Sequence, residues 1–173
     1  MHRILLNTLV VDVPAADRDA AVAFWASALA AESVATPLPR YHILDGAMPP
    51  NRVVVQQVDV GGPKVHFDIH TDDLDAEVAR LEGCGATVVQ SFADHPGQWV
   101  VMRDPAGMEF CVVFALNERR PRSDRDDFER RAKEVGGWPP CSSTATSSSS
   151  PVPAAAWAAA TRWSWRAGVP GWW

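Results

Sequence analysis

The spacing of apolar and polar positions changes period several times along the chain, and each change marks an element. Residues 4–13 are a β-branched, strand-like run that ends at Pro14. Residues 17–31 are Ala-rich, with Val22, Trp25 and Leu29 at helical spacing, which predicts a helix packed on a sheet. Short strands are expected over 32–35, 41–44 and 52–58, with Pro49-Pro50 marking a turn and Gly61-Gly62-Pro63 a strong break. The order then recurs: a strand over 65–70, a helix over 73–84 closed by Gly85, and strands over 87–90, 98–103 and 109–114.

This recurrence is an internal repeat in register as well as in order. Placing Thr8 on His66 superposes the first strands of the two halves, and Asp19-Ala20-Ala21-Val22 falls on Asp75-Ala76-Glu77-Val78. The expected fold is α+β: two βαβββ repeats, about residues 1–60 and 64–116, forming an open, concave mixed sheet with helices on the outer face. One amphipathic helix covers one face of each sheet and leaves the other face bare, where a small ligand can be held.

Composition divides the chain near residue 116. The first part holds 7 Lys/Arg against 15 Asp/Glu and all five His; the remainder holds 9 against 6 and six of the eight Trp. The overall charge of −5 and pI near 5.5 argue against a nucleic-acid partner. No apolar run reaches the ~18–20 residues of a membrane span, and no signal peptide is expected at the start. Cys84, Cys111 and Cys141 have no paired spacing, which fits reduced thiols and a cytoplasmic location. Residues 117–137 read as a charged helical extension with the helix itself over 124–135, Ser123 or Asp124 as cap and Phe128 as anchor. Residues 138–173, with a Ser/Thr-rich run and scattered Trp, read as a low-complexity, disordered tail.

The candidate chemistry lies on two strands. His66, Asp68 and His70 share one face of their strand, and Phe67 and Ile69 the other, so the three ionisable groups turn toward the bare face. Glu109 and Cys111 point together from the last strand, and a carboxylate among Phe110, Val112, Val113 and Phe114 calls for a cation, a metal or an imidazole beside it. His66 with Asp68 or Glu109 is an acid/base pair in prospect, since a carboxylate against an imidazole fixes its tautomer and raises its basicity. Solvated strand polarity is the competing account. Tyr41 and Trp99 could line the pocket mouth, against ordinary strand packing. Asp72, Asp73 and Asp75 open the second helix and read as capping.

The runs Asn7-Thr8-Leu9-Val10-Val11-Asp12-Val13-Pro14, Ala23-Phe24-Trp25, Val65-His66-Phe67-Asp68-Ile69-His70-Thr71-Asp72-Asp73-Leu74 and Asp104-Pro105-Ala106-Gly107-Met108-Glu109-Phe110-Cys111 resemble the vicinal oxygen chelate superfamily. That group includes glyoxalase I, extradiol dioxygenases and bleomycin-resistance proteins, and the chain is most similar to its small glyoxalase-like members. The resemblance spans about residues 3–116. It implies a lyase- or isomerase-type enzyme acting on a small oxygen-rich molecule in the concave cavity, with His66 central. The alternative is a non-catalytic small-molecule binding or sequestering protein of the bleomycin-resistance type. The family's metal positions fall on Thr8, Gln56, His66 and Cys111, a degenerate set in which Glu109 could serve as a further ligand. Thr8 and His70 then count as ligand-binding residues, and His66, Asp68 and Glu109 as catalytic ones. No cofactor is fixed by the residues themselves; a divalent ion is the candidate, zinc ahead of magnesium or manganese, given an imidazole and a thiol. A homodimer is implied by the resemblance alone.

Overall fold

The computed structural model describes residues 1–94 and 97–135. The readings for His95, Pro96 and the tail lie outside the described residues. Module one runs β1 (Arg3–Pro14), α1 (Arg18–Ala28), β2 (Glu32–Ala35), β3 (Tyr41–Met48) and β4 (Asn51–Val58). Module two runs β5 (Lys64–Thr71), α2 (Leu74–Gly83), β6 (Thr87–Phe92), β7 (Trp99–Arg103) and β8 (Glu109–Phe114). They join in one nine-stranded mixed sheet of order β2-β3-β4-β1-β5-β8-β7-β6, with the short β9 (Lys133–Glu134) pairing with β1. This is the α+β fold of two βαβββ repeats that the periodicity predicts.

The duplication is visible in the pairing. Each module has a parallel first–fourth strand pair, β1 with β4 and β5 with β8. The seam between modules is antiparallel β1–β5, with Thr8 opposite Asp68 and Val10 opposite His66. Exchanging the modules turns one of these pairs into the other, so Thr8 is the structural counterpart of His66.

Two apolar cores fix which face is which. Val11, Val13, Leu44, Val53 and Val55 pack with Val22 beneath α1. Val100, Met102, Phe110 and Val112 pack with Ile69, Leu74, Val78 and Leu81 beneath α2. Because side chains alternate along a strand, Asp12, Gln56, His66, Asp68 and Cys111 face the opposite, helix-free side. Asp73 caps α2, its carboxylate accepting from the Ala76 N–H at 3.0 Å.

Three local expectations are revised. β3 continues to Met48 instead of ending at residue 44, through an irregularity in its pairing with β4 between Leu44 and Met48, where Gly46 takes a positive φ of 80°. The charged helix is α3 (Arg122–Arg131), shorter than 124–135: the chain turns extended at Ala132 so that β9 can pair with β1 and Val135 can be buried. Cys84, at the end of α2, is disulfide-bonded, against the expectation of reduced thiols, whereas Cys111 is free.

α3 also departs from the picture of helices confined to the outer face. Arg52 alternates with Val53 and so faces the bare side, where it donates to Asp124 of α3 at 2.5–2.6 Å. Arg131 reaches back to the Pro50 carbonyl at 3.0 Å. Phe128 is 1% exposed, with the Arg3 guanidinium 5.5 Å from its ring. The extension thus closes one end of the concave face.

Candidate functional site

The centre of the open face is an imidazole between two carboxylates. His66 comes from β5, and its Nε2 lies 3.5 Å from Asp68 Oδ1 on the same strand, two residues along. Its Nδ1 lies 3.1 Å from Asp12 Oδ2 on β1. That contact is an ion-pair distance off the N–H axis, so Nδ1 has no aligned hydrogen bond, and Asp12 Oδ1 is buried with no partner among the described residues. Asp12 is 2% exposed and Asp68 20%, so one carboxylate is sealed and the other reaches the surface of the cup. Cys111 on β8 is the register partner of Asp68. One donor atom each from His66, Asp68 and Cys111 falls within 4.8 Å of the others.

The electrostatics follow from this layout. Burial pulls the His66 pKa down, but Asp12 and Asp68 more than reverse that, with Cys111 adding, and it is pushed up to about 11. Burial pushes the Cys111 thiol up, His66 pulls it partly back, and Asp68 adds to the rise. The group at 111 is therefore a neutral thiol near pH 7, and the two carboxylates are what sustain the imidazolium.

The remaining predicted residues fall in three places. Gln56 sits beside Asp12 on β4, and Tyr41 is opposite it on β3. Burial raises the Tyr41 phenol, Arg40 opposes this, and the charges of Asp68, Asp12 and Cys111 push the same way as burial. Glu109 is not part of the cluster: Lys64 holds one oxygen at 2.8 Å and Arg103 the other at 2.9 Å, and these cations keep its carboxyl below the usual range. Trp99 stacks on Phe92, centroids 4.5 Å apart, at the β6–β7 edge. His70 is 4% exposed, and burial, then the charges of Arg120 and Arg52, drive its pKa down to about 3. It is a buried, neutral imidazole, and the charges it feels, those of Arg120, Arg52 and Asp124, are not those of the His66 group. A hollow of about 360 Å³ lies elsewhere, beside the start of α2 between Asp73 and Gln98, and takes in no residue of the cluster.

Sequence reasoning misses Asp12. It carries the signal applied to Glu109, a lone carboxylate within an apolar strand (Val10, Val11, Val13). The deciding fact, that β1 and β5 pair with Val10 opposite His66 and Asp12 two residues further along on the same face, exists only in the sheet register.

The sequence profile of the glyoxalase-like domain family matches residues 8–113. The chain belongs to this family. It sits within the vicinal oxygen chelate superfamily, as the motifs imply. Comparison with curated proteins returns no match. Among solved structures, a hypothetical protein of Bacillus halodurans superposes with a TM-score of 0.52 at 9% identity, covering 68% of this chain and 99% of that one. A methylmalonyl-CoA epimerase of Streptomyces coelicolor, in complex with 2-nitronate-propionyl-CoA, gives 0.45 at 14% identity, with 64% and 96% covered. An Mn(II)-bound glyoxalase of Novosphingobium aromaticivorans gives 0.46 at 22% identity, with 66% of this chain and 40% of that one covered. Likeness at these identities speaks for the fold alone.

Whether this glyoxalase-like domain can hold a metal is a question of donors. The imidazole, carboxylate and thiol of His66, Asp68 and Cys111 are a donor set that would suit zinc. Asp12 behind Nδ1 stands where a carboxylate orients a metal-bound imidazole. The carboxylate of Glu109 is already neutralised, and Thr8 and Gln56 offer only neutral oxygens, a poor set for magnesium or manganese.

Proposed function

We propose that this glyoxalase-like domain is a small-molecule enzyme of lyase or isomerase type, moving a proton on an oxygen-rich substrate held against the open face at His66. The observation that carries the reading is the His66 ring fixed between a sealed carboxylate, Asp12, and an accessible one, Asp68. Asp12 orients the ring. Asp68 accepts the substrate proton, and the imidazolium against it offsets the charge that develops and returns a proton to the product. Tyr41, opposite Gln56 on β3, would line the site. Were zinc held by His66, Asp68 and Cys111, it would take the place of this proton pair and would supply Lewis-acid polarisation of a substrate oxygen instead. A homodimer, which the family resemblance implies, completes the reading.

The test is a turnover screen of small oxygenated metabolites on the full chain, with elemental analysis of the purified protein. For any substrate found, His66→Ala and Asp68→Asn lower kcat by about 10²–10⁴-fold. An unchanged rate in His66→Ala removes His66 from the mechanism. The sequestering alternative is favoured by the degenerate set at Thr8 and Gln56; saturable ligand binding without turnover in the wild type decides for it.

A further inference from the structure

The extension closes the cup at the end where Arg3, Arg52 and Pro50 hold α3. β1 and β5 run from that end to the opposite one, where Asp12 pairs with Lys64. Three charged side chains stand there on the bare face. Lys64 Nζ donates to Glu109 Oε2 at 2.8 Å, and Arg103, opposite Glu109 in the β7–β8 register, donates to its Oε1 at 2.9 Å. Short contacts join this group to the His66 cluster: Lys64 Nζ lies 4.0 Å from Asp12 Oδ2, and the same oxygen lies 3.1 Å from His66 Nδ1. Asp12 is sealed against the imidazolium, so Lys64, Arg103 and Glu109 leave one positive charge over at the open end of the cup. The Lys64 side chain is 50% exposed, that of Arg103 47% and that of Glu109 31%. Ion pairs this open to water contribute little to folding, so one carboxylate can be exchanged for another at small cost. An ammonium and a guanidinium also carry more N–H donors than these two contacts use.

We propose that Lys64 and Arg103 form a carboxylate seat at the open end of the cup, which Glu109 fills in the free protein. The molecule handled at His66 is then a small oxo or hydroxy carboxylic acid whose carboxylate displaces that of Glu109. This rests on the reading of the His66 cluster as the small-molecule site, and it names the substrate class. Glu109 itself shows what the seat fits: a planar monoanion with one cation on each oxygen. With the carboxylate there, the uncharged remainder of the molecule lies toward His66, along the contacts that join Lys64 to the ring. A surplus of a single positive charge suits a monoanion. Dianionic phosphate brings one negative charge more, and Asp12, 4.0 Å from Lys64, repels it.

The experiment measures equilibrium binding to the full-length protein by calorimetry and thermal shift. The probes are pyruvate, lactate and glycolate, their methyl esters, and inorganic phosphate. At least one acid binds saturably and raises Tm, while its ester and phosphate bind at least about tenfold more weakly. Lys64→Met and Arg103→Met each weaken acid binding about tenfold and leave the ester unchanged. The ligand-free Tm of both variants stays within about 3 °C of the wild type, because the pairs are exposed. Glu109→Gln withdraws the competing charge and tightens acid binding about threefold or more. A purely structural triad gives the opposite sign, since loss of Glu109 would then loosen the strand ends and weaken acid and ester together. The proposal is overturned if no acid binds, if acid and ester bind alike, or if phosphate binds best. It is equally overturned if either cation variant binds the acid as the wild type does, or if Glu109→Gln does not tighten it. Binding is read without turnover, so a catalytically silent protein that prefers the acid through Lys64 and Arg103 retires the enzyme reading and leaves this one standing. Turnover of an uncharged substrate at His66, with no acid bound, does the reverse.

Discussion

The chemistry of single residues here is set by the groups that stand across a strand more than by neighbours along the chain. His66 has an Asp two positions on, which any alternation argument puts on its face, and an Asp on the neighbouring strand, which only the register supplies. That second carboxylate is sealed and cannot trade His66 for water. Replacing it is therefore the sharpest probe of the pair: Asp12→Asn lowers the His66 pKa by about 1–3 units, tracked through the imidazole resonances in NMR titration. A His66 that titrates unchanged in Asp12→Asn would show that Asp68 alone holds the proton. The donor set makes a second prediction. Zinc must displace the His66 proton, so its binding releases protons and strengthens with rising pH, and Cys111→Ser weakens it about tenfold or more, read by calorimetry in two buffers of different ionisation enthalpy. Zinc uptake without proton release would mean that the metal sits elsewhere. The face shared by His66 and Asp68 was legible in the sequence because period two is a local property. Asp12 and the pairing of Glu109 with Lys64 were not, because each depends on contacts between strands far apart in the chain.

At the level of elements, the two modules announce themselves through hydrophobic period and the break at Gly61-Gly62-Pro63, whereas the strand order is a fact of the structure. The extension does not announce itself. Its sequence is charged almost throughout, and Phe128 is its one clear anchor, so nothing local says that it turns back onto the face opposite α1 and α2. What holds it is spread over long sequence separations: Arg52 with Asp124, Arg3 with Glu129 and Arg131 with the Pro50 carbonyl. Burial of the Phe128 ring fixes the position. Phe128→Ala should cost about 3–5 kcal/mol in urea unfolding, because the ring is fully enclosed and its removal leaves a cavity. The same substitution should admit water to His70, which feels the charges of Arg120 and Asp124 in the extension, and its pKa then climbs from about 3 toward 6.5. A loss below about 1 kcal/mol would show that the polar contacts alone seat α3. Helix length fails to read for the same reason. Helical propensity runs on past Arg131, but pairing of Lys133 and Glu134 with β1 and burial of Val135 outweigh it.

For the whole molecule, the two strand histidines act on stability in opposite directions. His70 is neutral in the folded protein and takes up a proton once unfolded below pH 6.5, so the unfolded state binds more protons between about pH 6.5 and 3 and stability falls as the solution is acidified through that window. His66 is charged when folded and loses its proton on unfolding above pH 6.5, so its contribution is complete below pH 6.5 and fades as pH rises toward about 11. The two together give a stability maximum near pH 6.5. Each flank has a slope approaching one proton, about 1.4 kcal/mol per pH unit. Below about pH 4 the acid flank steepens, because Asp72, Glu109, Asp124 and Glu129 are all held below their ordinary values by neighbouring cations and must also be protonated. The assignment is separable by mutation. His70→Gln removes the slope between pH 4.5 and 6.5 and leaves the alkaline flank, whereas His66→Asn does the reverse. Urea unfolding at half-unit steps of pH distinguishes these outcomes, and a flat profile between pH 4.5 and 6.5 in the wild type would place His70 in solvent, with the extension lifted from the sheet.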